Sequence, residues 1–187
     1  IGTLVPEIER RYTSPYSRLP RTQLLSNGRF ATMVTAAGSG YTRWGEIAIT
    51  RWREDVTCDN WGSFCFVRDV VSGDTWSTGY QPTVAKPDRY VANFTEDRAE
   101  IVRRDGSITT ALEILVSPED DAEVRRVSMN NNGTRTRELE LTAYCELSLA
   151  RQSDDMSHPA FAKMFVETEF EPHLGALLAT RRKRSQN

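Results

Sequence analysis

The sequence is poor in the residues that build metal and redox centres. Its 187 positions hold two histidines and three cysteines. His158 and His173 lie in no H-E-x-x-H spacing, and no C-x-x-C pair occurs, so neither a zinc site nor a thioredoxin-type motif is indicated. Cys58, Cys65 and Cys145 are an odd set at unrelated spacings, which excludes a disulfide framework and predicts three reduced, mostly buried thiols. No metal and no cofactor are expected. Long apolar runs are also missing: none approaches the roughly 20 residues of a membrane helix. No signal-peptide pattern opens the chain, where Glu7, Glu9, Arg10 and Arg11 follow almost at once. Nor does either charge dominate, with 24 Lys and Arg against 26 Asp and Glu and a net charge of −2. That balance excludes a nucleic-acid binder acting through phosphate neutralisation, and a polybasic membrane-surface protein. Walker loops, G-x-S-x-G elbows and nucleophilic-cysteine signatures are absent.

What is present is a period of two. From Glu138 to Leu149 the residues Leu139, Leu141, Ala143, Cys145, Leu147 and Leu149 alternate with mostly polar ones, predicting one long strand with one wet face. Thr110, Leu112, Ile114 and Val116 form a second alternating set; Ala162, Met164, Val166, Thr168 and Phe170 form a third. Asn27-Gly28, Ser72-Gly73, Asp105-Gly106 and Asn132-Gly133 supply the turns between strand-like runs. Residues 117–121, with Ser-Pro followed by acids, fit either one helical turn or an acidic loop. The fold expected is all-β and antiparallel, with a loose lead-in over residues 1–20 and a sandwich over 21–187. The first residue is not Met and the end, Arg181 to Asn187, reads as a cut, so the chain is expected to be a piece of a larger protein. The basic run Arg181–Arg184 reads as a solvated strand end.

The densest unusual segment runs from Gly38 through Ser39, Gly40, Tyr41, Thr42 and Arg43 to Trp44. Glycines permit a tight backbone path, aromatic rings can lie against sugar C–H faces, and a guanidinium can donate to hydroxyls. An ordinary Gly-rich connection with two core aromatics fits the same residues. Trp44, Trp52, Trp61 and Trp76 fall within 33 consecutive positions; Trp76 reads as core and the other three stay open between core and sugar platform. Arg51, Arg53, Glu54, Asp55 and Asp59 around them fit a polar rim. Glycoside hydrolysis needs two facing carboxylates, and the sequence singles out no pair. Asp154-Asp155, Asp120-Asp121 and Glu54-Asp55 read as solvated loop charges.

The stretch from Leu24 to Trp44, together with Thr50–Arg53, Phe66–Asp69, Ser117–Val127, Ser157–Phe161 and Leu174–Arg181, resembles the N-terminal β-sandwich of the glycoside-phosphorylase-like region of cyclic β-1,2-glucan synthases. Cellobiose and chitobiose phosphorylases share that sandwich. The resemblance implies a super-sandwich like that of the sugar mutarotases, longer in the family than here, so that its final strands would be missing. It implies a following helical barrel that carries the general acid and the phosphate site. No catalytic residue carries over, and the chain alone is expected to be non-catalytic. The expected partners are a β-glucan oligosaccharide, the absent barrel of the same parent and, through open sheet edges, a second copy of the chain; nucleic acid and membrane insertion are not expected. The expected location is the cytoplasm, with the bacterial parent anchored in the inner membrane. The expected sugar site comprises Gly38, Ser39, Gly40, Tyr41, Arg43, Trp44, Arg51, Trp52 and Trp61. A purely structural or dimer-forming domain is the alternative.

Overall fold

The computed structural model describes residues 9–55 and 57–182. Part of the expected lead-in (residues 1–8) and part of the basic run (residues 183 and 184) lie outside the described residues. Strands dominate. In chain order they are β1 (Arg10–Tyr12), β2 (Thr22–Ser26), β3 (Phe30–Thr35), β4 (Gly40–Trp44), β5 (Ile47–Thr50), β6 (Ser63–Asp69), β7 (Thr75–Ser77) and β8 (Arg89–Phe94). Then come β9 (Ala99–Asp105), β10 (Ile108–Val116), β11 (Glu123–Asn131), β12 (Leu139–Cys145) and β13 (Leu147–Arg151). Two short helices, α1 (Gln152–Ser157) and α2 (Pro159–Lys163), precede β14 (Val166–Glu171) and β15 (Ala176–Arg181).

Every strand pair is antiparallel. One five-stranded sheet has the order β1-β8-β9-β10-β11, and a second has β13-β5-β4-β3-β2. A three-stranded sheet, β12-β6-β7, and the hairpin β14-β15 complete the set. The first sheet carries the alternation that its sequence predicts: Ile108, Thr110, Leu112 and Ile114 of β10 all point inward. Leu112 and Ile114, with Tyr90, Phe94 and Ile101 of the same sheet, share a core with Leu25 and Val34 of the second five-stranded sheet and with Ala36 just after β3. Ile108, at the other end of β10, instead meets Val67 and Trp76 of the three-stranded sheet. The first sheet thus packs on both the second five-stranded sheet and the three-stranded one, and the same face of β10 supplies both contacts. Trp76 is core, in line with its sequence reading.

The structure revises several expectations. Residues 10–12 of the expected lead-in form an edge strand on β8. The long strand expected from Glu138 to Leu149 is two strands in two sheets: β12 pairs with β6, and β13 with β5. The break falls at Glu146, and a bulge in β13, where Leu149 has φ 51°, reverses the pattern so that Ser148 and Ala150 turn inward. In β12, Leu141 is 47% exposed, because β12 is an edge strand with a neighbour on one side alone. The third alternating set is interrupted by α2, whose Pro159 stands in the first turn, where a missing N–H costs nothing. Residues 117–121 form the acidic loop rather than a helical turn, and Asn27 Nδ2 donates to the Ser117 and Asp120 carbonyls there. The three cysteines are free, but Cys58 and Cys145 are exposed and Cys65 is half-buried, so they are not a buried set. No helix among the described residues is long and apolar enough to cross a membrane.

Candidate functional site

The Gly38–Gly40 segment links β3 to β4 as a tight, buried joint. Thr35 N–H donates to the Ser39 carbonyl at 2.8 Å, and the Thr35 and Ser39 hydroxyls lie 2.6 Å apart. Gly40 N–H donates to the Trp61 carbonyl at 2.8 Å. A Cβ at Gly40 would stand 1.8 Å from the Met33 carbonyl oxygen, so only glycine fits. Gly38, Ser39 and Gly40 are therefore scaffold; being buried, they present no surface to a ligand, which corrects their place in the expected site.

Strand alternation then divides the rest. Trp44 opposes Phe30 and belongs to the face of β4 that also carries Thr42. Its ring is 48% exposed at the end of the sandwich, and Nε1 donates to Asp121 Oδ2 at 2.6 Å. Tyr41 and Arg43 point the other way. Tyr41 opposes Met33, which opposes Leu24, so an apolar row crosses the outer face of three strands. Arg43 bonds the Gly45 carbonyl through Nε and Nη2 at 2.8 and 2.6 Å. The row ends at Trp52, whose ring meets Tyr41 edge to face at 5.6 Å and 63°. Trp44 thus stands apart from Tyr41 and Trp52, contrary to the expected single site.

Trp52 separates two depressions. The smaller, of about 230 Å³, is lined by Tyr41, Arg43, Glu46 and Gln152 among others. The larger, of about 830 Å³, runs between residues 15–22 on one side and residues 52–55 and 57–59 on the other, and is closed by Tyr80 and Gln81. Its charged lining is balanced, with Arg18, Arg21 and Arg53 against Glu54, Asp55 and Asp59. Tyr16 packs edge to face on Tyr80 at 5.0 Å. Thr57 donates to Asp55 through its hydroxyl and its N–H, at 2.6 and 2.7 Å, which holds the Asp55 carboxyl below the usual carboxylate range. Trp61 is half-buried, with the Arg53 guanidinium 6.0 Å from its ring centre. The wall at Tyr80 is built by Arg103, fully buried, which donates to the carbonyls of Ser77, Gly79 and Ala85 and pairs with Asp105.

Arg51, expected on a polar rim, is 2% exposed. Its guanidinium grips both carboxylate oxygens of Asp155 and reaches the Glu146 carboxylate. Asp155, expected as a solvated loop charge, is 4% exposed. Both are corrected for one reason: each supplies the counter-charge that makes burial of the other tolerable. Tyr16, Tyr80 and Gln81 escaped the sequence reading altogether. Tyr16 lies far along the chain from the loop that holds Tyr80 and Gln81, and no local pattern marks them. No group of three or more His, Cys, Asp or Glu side chains among the described residues is placed to hold a metal ion.

Residues 6–187 match the glycosyl hydrolase 94 supersandwich domain. The chain belongs to this family. It is 43% identical over 182 residues to cyclic beta-(1,2)-glucan synthase NdvB of Rhizobium meliloti (strain 1021), covering 97% of this chain and 6% of that protein. It is 25% identical over 156 residues to the N,N'-diacetylchitobiose phosphorylase of Vibrio proteolyticus, covering 78% of this chain and 19% of the phosphorylase. A solabiose phosphorylase of Paenibacillus borealis is 28% identical over 98 residues, 51% of this chain and 13% of that enzyme. The supersandwich chain therefore spans a small part of the curated relatives it matches.

Proposed function

We propose that this supersandwich domain is a non-catalytic carbohydrate-binding part of a cyclic β-1,2-glucan synthase or related glycoside phosphorylase, framing the glucan site of an adjacent helical barrel. The observation that carries this reading is the Tyr41–Trp52 pair, set on an outer sheet face between two depressions. Flat rings at the surface suit the C–H faces of sugar rings, and the balanced charges of the larger cleft suit a neutral, hydroxyl-rich ligand. Similarity to a protein named for β-1,2-glucan synthesis supports a β-glucan as the ligand class. Three free thiols are in keeping with a cytoplasmic location. Titration of the chain with linear β-1,2-linked gluco-oligosaccharides, followed by indole signals in a ¹H–¹⁵N spectrum, tests the reading. Movement of the Trp52 signal supports it; no change at millimolar sugar opposes it. Phosphate-dependent release of glucose 1-phosphate by the chain alone would overturn the non-catalytic part.

A second reading, a structural and association domain, is favoured by one specific feature. β12 is an unpaired edge with Leu141 and Tyr144 exposed, and the hairpin β14-β15 exposes Phe170 and Leu177 directly opposite each other. Such surfaces suit contact with a second copy or with the barrel.

A further inference from the structure

Trp52 sits in a stretch, residues 51–55, that has no regular secondary structure. No strand ladder orients its ring. A carboxylate from α1 ties both residues that flank Trp52. Arg51 Nε lies 3.0 and 2.9 Å from Asp155 Oδ1 and Oδ2, and Arg51 Nη2 lies 2.7 Å from Oδ1. Arg53 Nη2 donates to Asp155 Oδ2 at 3.0 Å and to the Asp155 carbonyl at 3.4 Å. The two residues flanking Trp52 are thus both tied to a residue 104 positions from Arg51. Glu146 completes the clamp: its carbonyl accepts the Arg51 N–H at 2.7 Å, and its carboxylate takes Arg51 and Lys163 of α2. Charge-assisted, forked contacts of this kind fix direction as well as distance. The chain on either side of Trp52 is thus anchored at both neighbours, and the ring meets Tyr41 edge to face.

We propose that Asp155 is the positioning residue of the Trp52 site: it touches no ligand, but by holding Arg51 and Arg53 together it aims the Trp52 ring at the sugar. The proposal rests on the reading of Trp52 as sugar-facing. It makes α1 part of the binding apparatus through Asp155 as well as through its first residue, Gln152, which lines the smaller depression with Tyr41 and Trp52.

The test compares Asp155→Asn, Asp155→Glu, Trp52→Ala and the exposed neighbour variant Asp154→Asn in the intact chain, with a linear β-1,2-linked gluco-oligosaccharide as probe. In Asp155→Asn the Trp52 indole signal should shift or broaden while those of Trp44 and Trp76 stay in place, and affinity should fall about fivefold, close to the loss in Trp52→Ala. Asp155→Glu keeps the charge but moves it by a methylene, so it folds more readily and should show the same displaced Trp52 signal and weakened binding. Asp154→Asn should match the parent chain. A parent-like Trp52 signal and affinity in a folded Asp155 variant, with binding lost in Trp52→Ala, overturns the positioning role and leaves the sugar site standing. Unchanged binding in Trp52→Ala removes the sugar reading itself, and the proposal with it.

Discussion

Gly38 and Gly79 meet backbone to backbone: a Cβ built on Gly38 would lie 3.0 Å from the Gly79 Cα, and one built on Gly79 would lie 2.9 Å from the Gly38 Cα. This contact seats residues 79–81 on the turn after β3, and Tyr80 and Gln81 N–H both donate to the Ala37 carbonyl at 2.9 Å. The wall of the larger cleft therefore depends on two missing side chains. Gly79→Ala should destabilise the fold by roughly 1–3 kcal/mol through overpacking. Urea denaturation measures it; an unchanged midpoint would show that the joint yields without cost.

The exposed Trp44 and the half-buried Trp52 should separate. Trp52→Ala should weaken gluco-oligosaccharide binding by about 1 kcal/mol, the scale of one aromatic contact. Trp44→Ala should leave binding unchanged, because its ring is on the opposite side of β4, and should lose about 1 kcal/mol of stability with the Asp121 bond. Isothermal titration and thermal melts on both variants read the two effects. Equal loss of binding in both would contradict the separation.

Acid should loosen the sandwich through Glu123. Burial between the sheets pushes this carboxyl up, but Arg125 and the Thr32 and Thr42 hydroxyls, each 2.6 Å from Oε2, more than offset it, so its pKa stays below the usual value. Glu146 follows the same pattern: burial raises it, while Lys163 and Arg51 bring it below normal. A carboxyl depressed in the folded state contributes stability that is fully present above the unfolded pKa of about 4.3 and is lost as pH falls through the folded value. Stability should be flat above about pH 5 and decline below that range. Glu123→Gln should cost roughly 1–3 kcal/mol at pH 7 and flatten the acid limb of the profile. Denaturation midpoints from pH 7 to 3 for both proteins check this, and an unaltered acid limb in the variant would refute it.

Association should run through the open edge. β12 pairs with β6 on one side alone and exposes Leu141 and Tyr144. Sedimentation velocity over a wide concentration range should reveal a dimer or larger species, and Leu141→Lys should shift the balance toward monomer. A monomer at every concentration would count against it.

Much of the fold was legible because its signals are local. The β10 alternation, the Asp105-Gly106 turn and the burial of Trp76 each follow from neighbours in the chain. Legibility failed where a local pattern continued across a change of partner. From Leu139 to Leu149 the period of two is unbroken, yet the chain leaves β6 for β5 at Glu146, and periodicity carries no record of which strand lies alongside. The Ala162 to Phe170 set failed in the same way at α2.

The sequence by itself determined the fold class and the family, because alternation, turns and ordered motifs are properties of neighbours along the chain. Only the tertiary structure decided which of the expected site residues come together at the surface. Tyr41 and Trp52 come together on the outer face, while Gly38–Gly40 and Arg51 are drawn inward by contacts with Gly79, Trp61 and Asp155. Asp155 looks like any loop acid until α1 brings it 2.7 Å from a buried guanidinium. Burial of a charge depends on its partner, and partners distant in sequence meet only when the sheets are packed.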